Sequence, residues 1–281
     1  MKKYKQFNIY TTPYDPETIS GFLWELEISG FLDNDIFATI FTGEKSNLSK
    51  TEVESLLAKL VDEKYIESFT VEAEEHEEKN WNEEWEKNLN IIRVTDRIVI
   101  KPSTKEFIPK EDDIVITIDP KMSFGTGEHE TTKIVLSLLE KYVKSGSKVL
   151  DVGSGTAVLA IGAIKLGASS GVALDNDDWC SLNGNENTLL NGVEDKIKVV
   201  LGELSDLEEN NFDLILANIN KPILLDIKDL IMQKVNKNGV VILSGLLITD
   251  EEDIVNAYQR AGFEVIDKTT MNEWMGLVLS C

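Results

Sequence analysis

The sequence predicts a two-domain α/β protein, in which a mainly parallel sheet with helices on both faces follows a small α+β domain. From about residue 93 onwards, near-continuous apolar strands alternate with helical stretches, a pattern typical of parallel sheets that are buried on both faces. Residues 1–71 instead follow the order β-α-β-β-α-β of a ferredoxin-like domain. A glutamate-rich run separates the two patterns, and 281 residues are enough for two domains of ordinary size.

Within the first domain, the elements are predicted from the spacing of apolar side chains. Residues 5–11 alternate as a half-buried strand does, and residues 16–29 carry apolar side chains at helical spacing. Asp33-Asn34-Asp35 predicts a turn between two short strands, the second at residues 36–42. Thr51-x-x-Glu54 is the pattern of a capping box and predicts a helix at residues 51–63. Residues 65–71 are predicted to form the last strand.

The boundary between the two predicted domains falls in residues 72–88, which hold eight Glu and two Lys. Charge of this density is typical of a solvated segment, and we predict a helical linker. Trp81 and Trp85 lie four residues apart, so they would share one helical face and form a docking contact. The predicted organisation is a first domain at residues 1–75, an acidic linker at residues 76–92 and a second domain at residues 93–281.

The second domain alternates strands and helices throughout. Strands are predicted at residues 98–100, 114–118, 148–152, 170–174, 196–201, 212–217 and 240–244, and near residues 264–268 and 276–280. Helices are predicted at residues 130–143, 157–166, 177–190 and 221–235. Thr249-x-x-Glu252 predicts the cap of a last helix.

Composition argues against several classes of partner. The chain has 50 Asp plus Glu against 28 Lys plus Arg, for a formal charge of −22. Nucleic-acid phosphates require a basic face, and anionic membranes repel a chain this acidic. No run of about 18 apolar residues is present, and residues 1–15 lack the apolar core of a secretion signal, so we expect a cytoplasmic protein. Cys180 and Cys281 have no metal-ligand spacing and are predicted to be free thiols.

The segment with the clearest chemical meaning is residues 148–159, KVLDVGSGTAVL, where an apolar strand enters a glycine loop and then a helix. Gly153 and Gly155 let a ligand lie against the backbone, and the helix start supplies free N–H groups. A dinucleotide loop would have a third glycine where Val158 stands, and Asp151 would repel a pyrophosphate. Asp151 can instead accept hydrogen bonds from a cationic amino group. S-adenosylmethionine carries such a group and no phosphate.

Other segments supply further candidate site residues. Asp175 ends the next strand, where an acidic residue can hold the two hydroxyls of a ribose. Asn218 follows the strand at residues 212–217, at the carboxyl edge where ligands of open α/β sheets bind, and would face the reacting methyl and amine. His129 lies in residues 118–132, IDPKMSFGTGEHETT. A single His in such a loop is more often a hydrogen-bonded support than a base.

Together these motifs resemble one known family, the ribosomal protein L11 methyltransferases (PrmA family), which are class I methyltransferases. The similar stretches are FGTGEHETT at residues 124–132, DVGSG at residues 151–155, Asp175, Asn187-x-x-x-Asn191-Gly192 and Ala217-Asn218-Ile219. The resemblance covers most of residues 80–281 and depends mainly on FGTGxHxTT. It implies a Rossmann-like, mainly parallel seven-stranded sheet with a small N-terminal ferredoxin-like domain.

The resemblance also implies an activity. The methyl donor would be S-adenosyl-L-methionine, and the acceptors would be lysine side chains and the N-terminal amine of ribosomal protein L11, recognised by the N-terminal domain. The cofactor-binding residues implied by position are Thr132, Gly153, Gly155, Asp175 and Asn218. Asn218 would also orient the acceptor amine, and no metal is implied.

The chain departs from the family pattern at two positions. Ala157 stands where a glycine is frequent, and we expect it only to stiffen the start of the helix. Asn220 replaces an apolar residue after the Asn-Ile pair, which bears on the geometry of the acceptor.

Three alternatives stay open. A class I methyltransferase that acts on another protein or on a small-molecule amine is the nearest, because the motifs describe the cofactor better than the substrate. Asp151 and Val158 disfavour a nicotinamide-dependent oxidoreductase. A non-catalytic binding protein would retain cofactor binding without turnover. We expect a monomer, because a mobile recognition domain needs free space around it.

Overall fold

The structure, a computed structural model, describes residues 3–43, 46–77 and 89–281. The chain divides into two compact units, here called the N-terminal unit (Met1–Trp81) and the C-terminal unit (Asn82–Cys281). Trp81 and Trp85 lie outside the described residues, so their docking contact stays a prediction. The three predicted domain ranges stay predictions as well.

The N-terminal unit contains a four-stranded antiparallel sheet in the order β2-β3-β1-β4. Its elements are β1 (Lys3–Thr12), α1 (Pro16–Leu23), β2 (Gly30–Asp33), β3 (Ala38–Phe41), α2 (Lys50–Asp62) and β4 (Ser68–Glu77). Apolar side chains of both helices pack with the strands in one buried core that includes Phe7, Leu23 and Leu57. The predicted ferredoxin-like order is confirmed.

The acidic residues 72–77 do not form the predicted helix but extend β4. The ladder between β4 and β1 runs without interruption from Thr12↔Ser68 to Lys3↔Glu77. Because β4 is an edge strand, its glutamates at positions 72, 74 and 75 stay exposed to water while the backbone is paired. Pairing with β1 therefore outweighs the local composition from which the helix was predicted.

The boundaries of the two N-terminal helices also differ from the predictions. The first helix ends at Leu23 rather than at residue 29. The second is capped by Ser49 and not by Thr51: Ser49 Oγ accepts from Glu52 N at 3.3 Å, and Glu52 Oε2 accepts from Ser49 N at 2.8 Å. The same Ser/Thr-x-x-Glu spacing occurs two residues earlier in the chain, and the extended backbone of Ser49 decides which copy forms the cap.

The C-terminal unit is built on a seven-stranded sheet in the order β10-β9-β8-β11-β12-β14-β13. Its elements are β5 (Ile92–Arg93), β6 (Ile98–Lys101), β7 (Ile114–Thr117), α3 (Glu130–Tyr142), β8 (Lys148–Val152), α4 (Val158–Lys165), β9 (Ser170–Asp175), α5 (Asp178–Leu190), β10 (Ile197–Leu201), β11 (Phe212–Asn218), α6 (Lys221–Lys234), β12 (Val235–Leu247), α7 (Glu251–Arg260), β13 (Glu264–Met271) and β14 (Trp274–Ser280). Strands β8 to β12 pair in parallel, and β14 is antiparallel to both of its neighbours. The predicted mainly parallel seven-stranded sheet is confirmed.

Helices cover both faces of this sheet, which explains why its strands are apolar at successive positions. Val149 packs into a core with side chains of α3 and α4, whereas the next residue, Leu150, packs into a second core with side chains of α6 and α7. Successive residues of a strand point to opposite faces, so a strand buried on both faces needs apolar residues throughout.

The predicted strands at residues 98–100 and 114–118 lie outside the seven-stranded sheet. They are β6 and β7, which form a separate three-stranded sheet with β5. Ile98, Ile100 and Ile116 nevertheless share the core that contains α3 and α4. Apolar composition thus predicts these strands and their burial but not their hydrogen-bonding partners, which depend on which sheet edges are already occupied.

The start of the last helix also differs from the prediction. A 3₁₀ turn at Ile248–Asp250 precedes α7, and Asp250 Oδ2 accepts a hydrogen bond from Leu247 N at 3.0 Å. The predicted cap at Thr249 is therefore wrong, because the turn moves the helix start to Glu251.

Within the described residues, no helix is both long enough and apolar enough to span a membrane.

Candidate functional site

Three of the predicted site residues lie side by side at the carboxyl edge of the seven-stranded sheet. Val152 in β8 pairs with Leu174 in β9 and with Ala217 in β11. The residues that directly follow this row are Gly153, Asp175 and Asn218. The carboxyl edge of a parallel sheet is where ligands of open α/β folds bind, so the register brings these three together at the expected place.

The glycine loop after β8 requires its two glycines. Gly153 and Gly155 have φ angles of +70° and +53°, a region that L side chains rarely adopt. A Cβ at Gly153 would collide with the side chain of Ile219, and a Cβ at Gly155 would collide with the carbonyl of Phe124. The loop is therefore packed closely from two sides.

Asp175 holds the glycine loop to the neighbouring strand. Its Oδ2 accepts a hydrogen bond from Gly155 N at 2.8 Å, and its Oδ1 accepts one from Asp177 N at 3.1 Å. A carboxylate offers about four lone-pair sites, so two acceptor positions are left for ligand hydroxyls. This geometry suits the ribose-holding role that the sequence predicts for Asp175.

Thr156 joins the glycine loop to the FGTG loop at residues 124–127. Its N–H donates to the carbonyl of Phe124 at 2.9 Å, and its buried hydroxyl donates to the carbonyl of Gly125 at 2.8 Å. Thr132 follows the FGTG loop in the first turn of α3. Thr156 is not among the site residues predicted from the sequence, although a hydroxyl residue directly after the second glycine is a usable signal for such a bond.

His129 acts as the N-cap of α3. Its Nδ1 accepts a hydrogen bond from Thr131 N at 3.3 Å, and its ring stands edge-on between Phe124 and Trp274, at centroid distances of 5.5 and 4.8 Å. The lone pair on Nδ1 is thus used in capping. These contacts agree with the predicted supporting role.

Three buried polar atoms near this edge have no hydrogen-bond partner among the described residues: Thr132 Oγ1, Asp151 Oδ1 and Asn218 Oδ1. A buried polar atom without a partner costs about 1–3 kcal/mol, so such a group needs an explanation. All three belong to residues singled out in the sequence. An orphaned set of this kind fits a ligand that brings several hydrogen-bond donors.

Asp151 is the most unusual of these residues because its carboxyl is fully buried in the strand β8. Burial raises the pKa of Asp151 to about 7, and the charge of Asp175 adds to the rise, while the hydrogen bond from Ala160 N at 3.1 Å opposes it. A cation placed at the free Oδ1 would stabilise the ionised form. The amino group of S-adenosylmethionine is such a cation, so the residues present fit this cofactor.

The two departures from the family pattern have different structural roles. Ala157 has a φ of 63° and is fully buried, so it does not simply stiffen the helix start as expected. It holds a left-handed conformation that costs an alanine about 1 kcal/mol or more. Asn220 caps α6, since its side chain accepts from Ile223 N at 3.3 Å. That position is therefore explained by the helix rather than by the acceptor.

Asn187 and Asn191 connect α5 to the segment before the FGTG loop. Asn187 Oδ1 accepts from Asp119 N at 3.0 Å, and Asn191 bonds to both the N–H and the carbonyl of Thr117. The four-residue spacing of the two asparagines places them on one face of the helix. In the part of the chain that the structure describes, no group of three or more His, Cys, Asp and Glu side chains is arranged to hold a metal ion.

Comparison with known proteins gives the same picture over nearly the whole chain. Residues 12–280 match the family described as ribosomal protein L11 methyltransferase (PrmA). A protein of that name from Brevibacillus brevis is 31% identical and is covered over 98% of both chains. Another from Acetivibrio thermocellus is 39% identical over 74% of this chain, and the match spans 66%, about two thirds, of that relative's length.

A solved structure supports the fold. The ribosomal protein L11 methylase from Lactobacillus delbrueckii subsp. bulgaricus superposes with a TM-score of 0.64 and is 33% identical to this chain. The superposition covers 68% of this chain and 97% of that one. The family match over residues 12–280 and the similarity to the Brevibacillus brevis protein, together with the glycine loop and the orphaned acceptors, show the family. This chain belongs to the ribosomal protein L11 methyltransferase family.

Proposed function

We propose that this protein transfers methyl groups from S-adenosylmethionine to lysine side-chain and N-terminal amino groups of ribosomal protein L11. The observation that carries the proposal is the set of orphaned buried acceptors on Thr132, Asp151 and Asn218 beside a close-packed glycine loop. Membership of the family supports the choice of substrate.

The ribose and the amino group of the cofactor each have a residue suited to hold them. Asp175 would accept hydrogen bonds from the ribose hydroxyls, and Asp151 would pair with the cationic amino group. Gly153 and Gly155 would shape the loop that carries the ligand, since protein atoms already fill the space beside each glycine, and Thr132 and Asn218 would supply further polar contacts. When bound, the cofactor supplies an electrophilic methyl group on a sulfonium.

The task of the protein in this reaction is to align donor and acceptor and to exclude water. Asn218 ends β11 at the mouth of the site and would orient the acceptor amine. That amine must be neutral to react. A lysine with a pKa of about 10.4 is almost fully protonated at neutral pH, whereas an α-amine with a pKa of about 7.7 to 8 is not.

We infer that no dedicated base is needed, because desolvation beside a cationic sulfonium lowers the pKa of the amine. His129 is the nearest candidate base by sequence, but its Nδ1 is occupied in capping α3. His129→Ala should therefore retain turnover, apart from losses that follow its stability. Loss of turnover with unchanged cofactor affinity would contradict this view.

The N-terminal unit would recognise the substrate. Residues 1–88 hold 20 acidic and 9 basic side chains, a net charge of −11, which would attract a lysine-rich protein and speed encounter at low salt. Raising the salt concentration should then slow association. We also expect a cytoplasmic monomer, and the acidity of the chain argues against direct binding of nucleic acid.

The test is transfer of a radiolabelled methyl group from S-adenosylmethionine to purified ribosomal protein L11. A mixture of other ribosomal proteins serves as the specificity control. Asp175→Ala should abolish the transfer, whereas Glu264→Ala, at an exposed carboxylate on the edge strand β13, should not.

Label on ribosomal protein L11 alone, lost in Asp175→Ala, would support both donor and substrate. Label only on other acceptors would favour the alternative, a class I methyltransferase that acts on another protein or on a small-molecule amine. Cofactor binding without any transfer would indicate a binding protein.

A further inference from the structure

Three large apolar side chains are exposed on two segments, residues 119–124 and α5, that are hydrogen-bonded to each other and lead into the candidate site. Met122 is 77% exposed, Trp179 is 71% exposed and Leu182 is 62% exposed. We call this set the apolar rim. Trp179 and Leu182 lie three residues apart on α5 and so share one face of the helix. Single exposed apolar residues are ordinary, but a cluster of them marks an interaction surface.

The two segments that supply the apolar rim are fixed against each other. Asn183 Nδ2 donates to the carbonyl of Asp119 at 2.8 Å, and Asn187 Oδ1 accepts from Asp119 N at 3.0 Å. Nearer to the rim, Lys121 forms an ion pair with Glu186 of α5. Met122 directly follows Lys121, so the segment that carries Met122 and the helix that carries Trp179 are held together before any partner binds.

Both segments continue directly into the candidate site. Trp179 comes four residues after Asp175, whose carboxylate accepts from Gly155 N. Met122 comes two residues before Phe124, whose carbonyl accepts from Thr156 N. A macromolecule that presents an amine at the carboxyl edge would therefore have this surface next to the site.

The charges around the apolar rim indicate the chemistry of the partner. Asp177 and Asp178 are exposed at the start of α5, directly before Trp179. Glu186, one turn after Leu182 on the same face, is paired with Lys121, so the attraction for a basic segment comes from Asp177 and Asp178. An apolar surface edged by carboxylates is complementary to a segment that combines apolar and basic side chains.

From these contacts we propose that the apolar rim docks the segment of the protein substrate that flanks the acceptor lysine. An apolar side chain of that segment packs against Trp179 and Leu182, and its basic neighbours lie near Asp177 and Asp178. The proposal rests on the proposed function, since it names how the catalytic unit itself holds the same substrate. It adds a second contact to the recognition assigned to the N-terminal unit.

The test compares Trp179→Ala and Leu182→Ser with Ile266→Ser, a matched control. Ile266 is also an exposed apolar residue, at 46% exposure, but it lies on the edge strand β13. The helix α5, which carries Trp179 and Leu182, directly precedes β10 at the other edge of the sheet. For each variant, the KM and kcat for ribosomal protein L11 and the Kd for S-adenosylmethionine are measured. Direct binding of ribosomal protein L11 without cofactor is measured as well.

In each rim variant we expect KM and the binding Kd for ribosomal protein L11 to rise by about tenfold, the usual effect of removing a central apolar anchor. We expect kcat and the cofactor Kd to stay within about twofold of wild type, and Ile266→Ser to match wild type throughout. Because all three side chains are exposed, thermal unfolding should be nearly unchanged.

Unchanged KM and Kd for ribosomal protein L11 in both rim variants would overturn the proposal. So would a weakened cofactor Kd, since the rim would then belong to the donor site. If the wild-type protein binds ribosomal protein L11 through the rim but transfers no methyl to it, the proposed function fails and the docking surface stands. If the wild type does not bind it at all, both fail.

Discussion

Asp151→Asn tests whether a buried carboxyl makes the stability of the cofactor-free protein depend on pH. Burial raises the pKa of Asp151 from 3.8 to about 7 in the folded protein, whereas an aspartate in an unfolded chain has a pKa of about 3.9. Between these values the folded state binds a proton that the unfolded state has released. The free energy of unfolding therefore falls as the pH rises through this window.

The size of the effect follows from the two pKa values. Linkage arithmetic gives a loss of about 2.5 kcal/mol in the free energy of unfolding of the wild type between pH 5 and pH 8 from this group alone. Asparagine does not titrate, so the variant lacks this loss. Relative to the wild type, Asp151→Asn should gain about 2.5 kcal/mol over that pH range, as measured by urea unfolding without cofactor.

The same substitution should weaken the binding of S-adenosylmethionine by about tenfold or more, because a neutral amide no longer pairs with the cationic amino group. Asp206→Asn, at an exposed carboxylate of the same unit, is the control and should show a pH dependence close to that of the wild type. If the difference between Asp151→Asn and the wild type is the same at pH 5 and pH 8, the reasoning is refuted.

Other predictions concern the glycine loop and the helix caps. Asp175→Ala should weaken cofactor binding about a hundredfold in calorimetry, because two charged hydrogen bonds of about 1.5 kcal/mol each are lost; a change below about threefold would contradict the assigned role. Ala157→Val should lower the urea-unfolding free energy by at least about 2 kcal/mol, because a β-branched residue is forced to a φ of 63°. Ala157→Gly should change it by less than about 1 kcal/mol, since relieved strain offsets lost packing. Ser49→Ala should cost about 1 kcal/mol and Thr51→Ala less than about 0.5 kcal/mol; the reverse order would show that Thr51 is the cap.

Much of the fold follows from local patterns. The alternation of apolar strands with helical segments predicted the parallel sheet, because a strand buried on both faces must be apolar throughout. The β-α-β-β-α-β order of the N-terminal unit followed from the same reasoning. The glycine loop was visible in the sequence because Gly153 and Gly155 supply conformations that other residues rarely adopt.

Predictions failed where two local patterns competed or where a strand had to choose a partner. Ser49 and Thr51 both have a glutamate three residues later, and only the backbone around Ser49 selects the cap that forms. Residues 72–77 are charged enough for a solvated linker, yet β1 offers an open edge that pairs with them. The strands β6 and β7 are apolar enough for the main sheet but pair with each other instead.

The sequence by itself determined the type of fold, the order of the elements and the chemical nature of the loop residues, because these depend on spacing and side-chain type within a short stretch. Only the tertiary structure decided that Thr132, Asp151 and Asn218 each bury an unpartnered oxygen, because burial and pairing depend on elements far apart in the chain. It also decided that the segment carrying Met122 lies against α5, which carries Trp179, since the bonds between Asp119 and α5 join residues more than sixty positions apart.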